Sequence, residues 1–108
     1  MNDFTVIYRI LKALQKSMDS DEFDEAMIAP ERLKISETRR NKLLVQLVKN
    51  EYVEGIELRK YQDSSTAEPF ILPSATITLK GLEYLEDNSM MKKAAGVLKE
   101  LKDFVPLP

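Results

Sequence analysis

The chain has 108 residues, 44% hydrophobic and 31% charged, a balance that excludes a disordered segment and suits one globular domain with a single core. Cysteine and histidine are both absent, which excludes a disulfide framework, a thiolate metal site, the commonest general base and the commonest metal ligand. The net charge of −2 excludes a strongly basic coat, so any cationic surface has to be local.

Asn2 or Asp3 caps a first helix that runs to about Met18. Phe4, Ile7, Leu11, Leu14 and Met18 recur at spacings of three and four with Ile10 beside them, while Arg9, Lys12 and Lys16 face away. The acidic stretch Asp19, Asp21, Glu22, Asp24 and Glu25 reads as a solvated loop with a strand start near Phe23. It lacks the alternate ligands and closing glutamate of a calcium loop.

Pro30 opens a short helix to Lys34, proline being tolerated in the first turn where its missing N–H costs nothing. Ser36 then caps a third helix, Glu37 to Asn50, with an apolar stripe of Leu43, Leu44, Leu47 and Val48. A short helix, a tight turn through Ile35 and Ser36, and a longer helix form a helix-turn-helix pattern.

Tyr52 to Leu58 alternates apolar and polar residues as a half-buried strand does. Gln62 to Thr66 is a polar loop, and Phe70-Ile71-Leu72 with Ala75-Thr76-Ile77 supplies a returning strand. Pro73 interrupts that strand and confines it to an edge or a bulge. Thr78 caps a fourth helix through Leu79, Leu82 and Leu85, which stops near Asn88. A last helix runs from Ser89 to about Phe104, carries Met90, Met91, Ala94, Leu98 and Leu101 on one side, and is ended by Pro106 and Pro108. No internal repeat or linker divides residues 1–108.

The order of elements predicts an α+β, mostly helical domain: a winged helix-turn-helix with a β-hairpin wing and extra N- and C-terminal helices. The segment Ile77-Thr78-Leu79-Lys80-Gly81-Leu82-Glu83-Tyr84-Leu85-Glu86-Asp87-Asn88-Ser89, with Met91-Lys92-Lys93-Ala94, is similar to the C-terminal half of the YjcQ-like proteins. Leu33-Lys34-Ile35-Ser36, Leu43-Leu44 with Leu47, and Glu51-Tyr52-Val53-Glu54-Gly55 extend the resemblance over about Phe4 to Asp103. It implies a small winged-helix protein of Gram-positive bacteria and their prophages, and it carries over no catalytic residue.

In DNA-binding relatives of this fold the third helix enters the major groove. At 100° per residue, the apolar stripe leaves Thr38, Lys42, Gln46 and Lys49 on the opposite face, with Arg39 at its margin and Arg40 toward the core. Lysine and arginine neutralise phosphates or read guanine, and glutamine reads adenine. Thr38, Arg39, Lys42 and Gln46 are therefore expected near base edges or phosphates, and Lys49, Arg59 and Lys60 on the backbone of double-stranded DNA.

From Ser36 to Gln62 there are six bases (Arg39, Arg40, Lys42, Lys49, Arg59, Lys60) and four acids (Glu37, Glu51, Glu54, Glu57), a net of +2. So thin a footprint favours a homodimer that adds two half-sites. Most of the last helix's apolar face is expected to cover the first helix, leaving Met90, Val97 and Phe104 as dimer contacts. The near-neutral charge and the acidic loop suit an alternative, a non-catalytic protein-interaction module on the same scaffold.

No enzyme is expected. No carboxylate pair is predicted to share a cleft, and Gly55, Gly81 and Gly96 form no phosphate loop. No cofactor, metal or small-molecule substrate is expected either. No apolar run approaches the ~18 residues that span a bilayer, and Met1-Asn2-Asp3-Phe4 does not resemble the start of a signal peptide. Cytoplasmic residence without membrane contact is the corresponding expectation.

Overall fold

The computed structural model describes residues 2–60, 62 and 66–88. Among them are four α-helices and one two-stranded antiparallel sheet, a mostly helical α+β arrangement. The helices are α1 (Asp3–Lys16), α2 (Pro30–Leu33), α3 (Glu37–Lys49) and α4 (Leu79–Asp87), and the strands are β1 (Val53–Lys60) and β2 (Ala67–Ile77). The last helix expected from Ser89 lies outside the described residues, as do Met90, Val97 and Phe104.

Local chemistry sets most boundaries. Side chains of Asn2, Ser36 and Thr78 accept hydrogen bonds from the backbone N–H groups of Thr5, Arg39 and Gly81, satisfying orphan donors at the starts of α1, α3 and α4. Pro30 occupies the first turn of α2, and Lys34 ends that helix in the left-handed region at φ 60°. The end of α3 is a Schellman motif: Glu51 N–H donates to Val48 O and Tyr52 N–H to Leu47 O. Glu51 holds the left-handed position at φ 62°, where glycine is usual.

The core joins Val6, Ile10, Leu11 and Leu14 of α1 to Leu44 and Leu47 of α3, Val53 and Ile56 of β1, Ala75 and Ile77 of β2, and Leu85 of α4. Phe23, Ile28 and Leu33 close it from the connecting segments. The expected stripe of α3 is kept, with Leu43 and Val48 half-buried beside it.

The stripe of α1 is shifted from expectation. Phe4 and Met18 are exposed, at 59% and 53%, while Val6 and Ala13 are buried. The α-helix stops at Lys16 and tightens into a 3-10 turn, Ser17–Asp19, with Ser17 Oγ donating to Leu14 O. That change of pitch carries Met18 off the helical face. Lys12, expected to face away, is half-buried and donates to Gln15 Oε1.

Leu79 is likewise 76% exposed although it falls on the apolar pattern of α4. Gly81 is the residue of that turn that meets Tyr52 O and Ile77, and two positions along a helix are about 200° apart. Leu79 therefore turns outward.

The hairpin pairs Val53 with Ile77 and Glu54 with Thr76, then resumes with Ile56 opposite Ile71 and ends with Lys60 opposite Ala67. Gly55 alone thus faces the four residues Leu72 to Ala75, a bulge that contains Pro73. The expected interruption at Pro73 is this bulge, and β2 runs through it as one strand.

Phe23 does not begin a strand. Its N–H donates to Pro73 O at 2.8 Å, but Pro73 has no N–H to return and the ladder cannot continue. Among the described residues no helix is long and apolar enough to cross a membrane.

Candidate nucleic-acid interface

Helix α3 packs its apolar stripe against both strands, which turns Thr38, Lys42, Gln46 and Lys49 outward, all four exposed. Their spacing of four, four and three holds them on one face. The far end of the hairpin rises beside this face because Lys60 pairs with Ala67 and Arg59 with Glu68 across the ladder.

Between helix and hairpin lies an open cleft of about 750 Å³. Thr38, Asn41, Lys42, Gln46 and Lys49 line it from α3, Lys60 from β1, and Thr66 and Glu68 from the returning side. Leu43, Val45, Leu58 and Ala67 supply its apolar lining. Lys42, Lys49 and Lys60 make no ion pair among the described residues. Of the four acids counted between Ser36 and Gln62 none lines the cleft, and among the described residues Glu68 is its one carboxylate.

The two expected arginines are engaged elsewhere. Arg39 makes a bidentate pair with Asp3 at the start of α1, Nε to Oδ1 at 2.6 Å and Nη2 to Oδ2 at 2.8 Å. The hydrogen bond from Arg39 holds the Asp3 carboxyl below the ordinary carboxylate range, helped by the charge of the guanidinium. Arg59 donates from Nη2 to Glu57 Oε1 at 2.8 Å and lies over the Phe70 ring, 3.6 Å from its centroid. Neither arginine lines the cleft. Arg40, expected toward the core, is half-buried and donates from Nη1 to Ile28 O and from Nε to Asn41 Oδ1.

Sequence reasoning missed Asn41, Leu43, Val45, Leu58, Thr66, Ala67 and Glu68 as lining residues. The strand register carries the signal for Leu58, Ala67 and Glu68, since Lys60 pairs with Ala67 and Arg59 with Glu68 at the end of the ladder that holds Leu58.

The acidic stretch stands apart from the cleft. Asp19, Asp21, Glu22, Asp24 and Glu25 are all exposed, and Asp24 Oδ1 accepts from Ala26 N–H to cap the 3-10 turn Glu25–Ile28. Among the described residues no three carboxylates converge as a cation site requires.

Residues 8–104 match the model of a family described as YjcQ protein. The chain belongs to the YjcQ family. The match spans α2, α3, both strands and α4 together with most of α1, so the cleft of this YjcQ member lies wholly within the matched region. No curated protein and no solved structure matches the chain.

Proposed function

We propose that this YjcQ family member is a winged-helix protein that binds double-stranded DNA, in the manner of a prophage-associated transcriptional regulator. The single observation that carries the reading is the convergence of Lys42, Gln46 and Lys49 of α3 with Lys60 of the hairpin on one cleft. In this reading α2 and α3 form the helix-turn-helix, α3 lies in the major groove, and the hairpin is the wing beside it. The three lysines take phosphates, whose negative charge suits exposed ammonium groups without internal partners.

Three phosphate contacts give weak binding for one protomer, so a homodimer on two half-sites completes the reading. Apolar side chains of the lining, such as Val45, suit contact with thymine methyl groups or sugar edges. No catalytic role is assigned to any residue.

Band-shift titration at low salt with fragments of the host genome tests the proposal. Retarded complexes that weaken with Lys42→Glu support it. Absence of any complex, or complexes indifferent to Lys42→Glu, sinks it.

A second reading is favoured by one observation, the engagement of Arg39 by Asp3 and of Arg59 by Glu57. Those pairs thin the cationic surface and suit a protein-interaction module. Pull-down from lysate separates the two: nuclease treatment releases every partner in the DNA reading and leaves a protein band in the other.

A further inference from the structure

We infer that Gln46 is the base-reading residue of α3 and that it selects adenine. The inference rests on the proposal that duplex DNA is the ligand. A bidentate grip on adenine needs both ends of one amide: the carbonyl oxygen accepts from N6 and the amino group donates to N7.

Helix α3 and its cap carry three carboxamides, Asn41, Gln46 and Asn50. The Asn41 oxygen already accepts from Arg40 Nε at 3.0 Å. The Asn50 amino group already donates to the backbone oxygen of Gln46 at 2.8 Å. Gln46 alone has both ends of its amide without a partner among the described residues, and its side chain is exposed at the cleft.

The other donors of the helix do not compete for this role. The Arg39 guanidinium is closed by the Asp3 carboxylate, and Arg40 is held by Ile28 O and Asn41. The Thr38 hydroxyl both donates and accepts, so it pairs with more than one base. Lys42 and Lys49 stand one turn to either side of Gln46 and share the cleft with Lys60. As compact, rotating point charges they serve phosphates and frame the glutamine without fixing a base.

Selection from a random duplex pool at low salt, followed by anisotropy on the selected duplex, tests the inference. A fixed adenine is expected, and replacing it by guanine or by 7-deaza-adenine weakens wild-type binding by about 5- to 150-fold. Gln46→Ala, an exposed change to a good helix former, is expected to abolish that preference, so that the adenine duplex and its guanine and 7-deaza-adenine counterparts bind the variant equally.

Duplex binding with no fixed adenine, or a preference that survives Gln46→Ala, overturns the inference and leaves DNA binding standing. Failure of the wild type to bind any duplex overturns the DNA proposal, and the role of Gln46 falls with it.

Discussion

Asp3 and Arg39, thirty-six positions apart, clasp the first turn of α1 to the first turn of α3 through two parallel hydrogen bonds of 2.6 and 2.8 Å. The pair neutralises the one arginine on the margin of the outward face of α3, and it sets how much of that face is cationic. Asp3→Asn removes the carboxylate and frees Arg39. The expected outcome is tighter duplex binding, with the slope of log affinity on log salt steeper by about 0.9 per protomer. Because the pair is exposed, its loss leaves the thermal midpoint nearly unchanged.

The same pair has a defined pH dependence. Asp3 holds its proton less tightly in the folded chain than in the unfolded one, because Arg39 stabilises the carboxylate. Its contribution is present above the ordinary carboxyl range and is lost as pH falls through the lowered folded value. Acid titration of Asp3 by NMR is expected to show a midpoint below the ordinary aspartate value, and Arg39→Ala is expected to move it back toward that value.

Glu51 sits at φ 62° in the turn after α3 without a glycine's freedom there. Its backbone oxygen accepts from Thr78 Oγ1 at 2.7 Å and its N–H from the helix end is satisfied by Val48 O, so the turn depends on backbone groups. Glu51→Gly keeps all of them and relieves the left-handed strain. An increase of about 1 kcal/mol in unfolding free energy, read by urea titration, is expected.

Gly55 behaves in the opposite sense. At φ 79° in the bulge, an added Cβ would stand 2.6 Å from Ala75 Cα and 2.8 Å from Ser74 C. These are backbone atoms that cannot rotate away. Gly55→Ala is expected to cost about 2 kcal/mol or more, and a variant as stable as the wild type in urea would contradict the bulge geometry.

Tyr8 and Tyr84 tie the fold to alkaline pH. Burial pushes both phenols up, with the charge of Glu86 adding at Tyr8 and Tyr52 adding at Tyr84. Each folded phenol holds its proton more tightly than in the unfolded chain. The contribution is therefore full below the ordinary phenol value of about 10 and is lost as pH rises through the raised values. Urea midpoints are expected to fall across that range in the wild type and to fall less in Tyr8→Phe and Tyr84→Phe.

Much of this architecture is legible in the chain because its signals are local. Asn2, Ser36 and Thr78 are caps, Pro30 is a first-turn proline, and the alternation from Tyr52 to Leu58 is a strand pattern, each needing only a few neighbours to act. Phe4, Met18 and Leu79 are exposed against their periodic pattern because helical period fixes a direction but not where the core ends. Phe23 failed as a strand because its partner is Pro73, fifty residues away. The engagement of Arg39 is invisible in the sequence because nothing near it announces Asp3. The Glu57–Arg59 pair was readable in principle, since residues two apart on a strand share a face.

The direct test of the central claim is the salt dependence of duplex binding by the wild type and by Lys42→Ala, Lys49→Ala and Lys60→Ala. If the cleft between α3 and the hairpin seats a phosphate backbone, the wild-type slope of log affinity on log salt is about −2.7 per protomer, and each lysine variant lowers its magnitude by about 0.9. A slope near zero, or one that none of the three substitutions changes, contradicts the account.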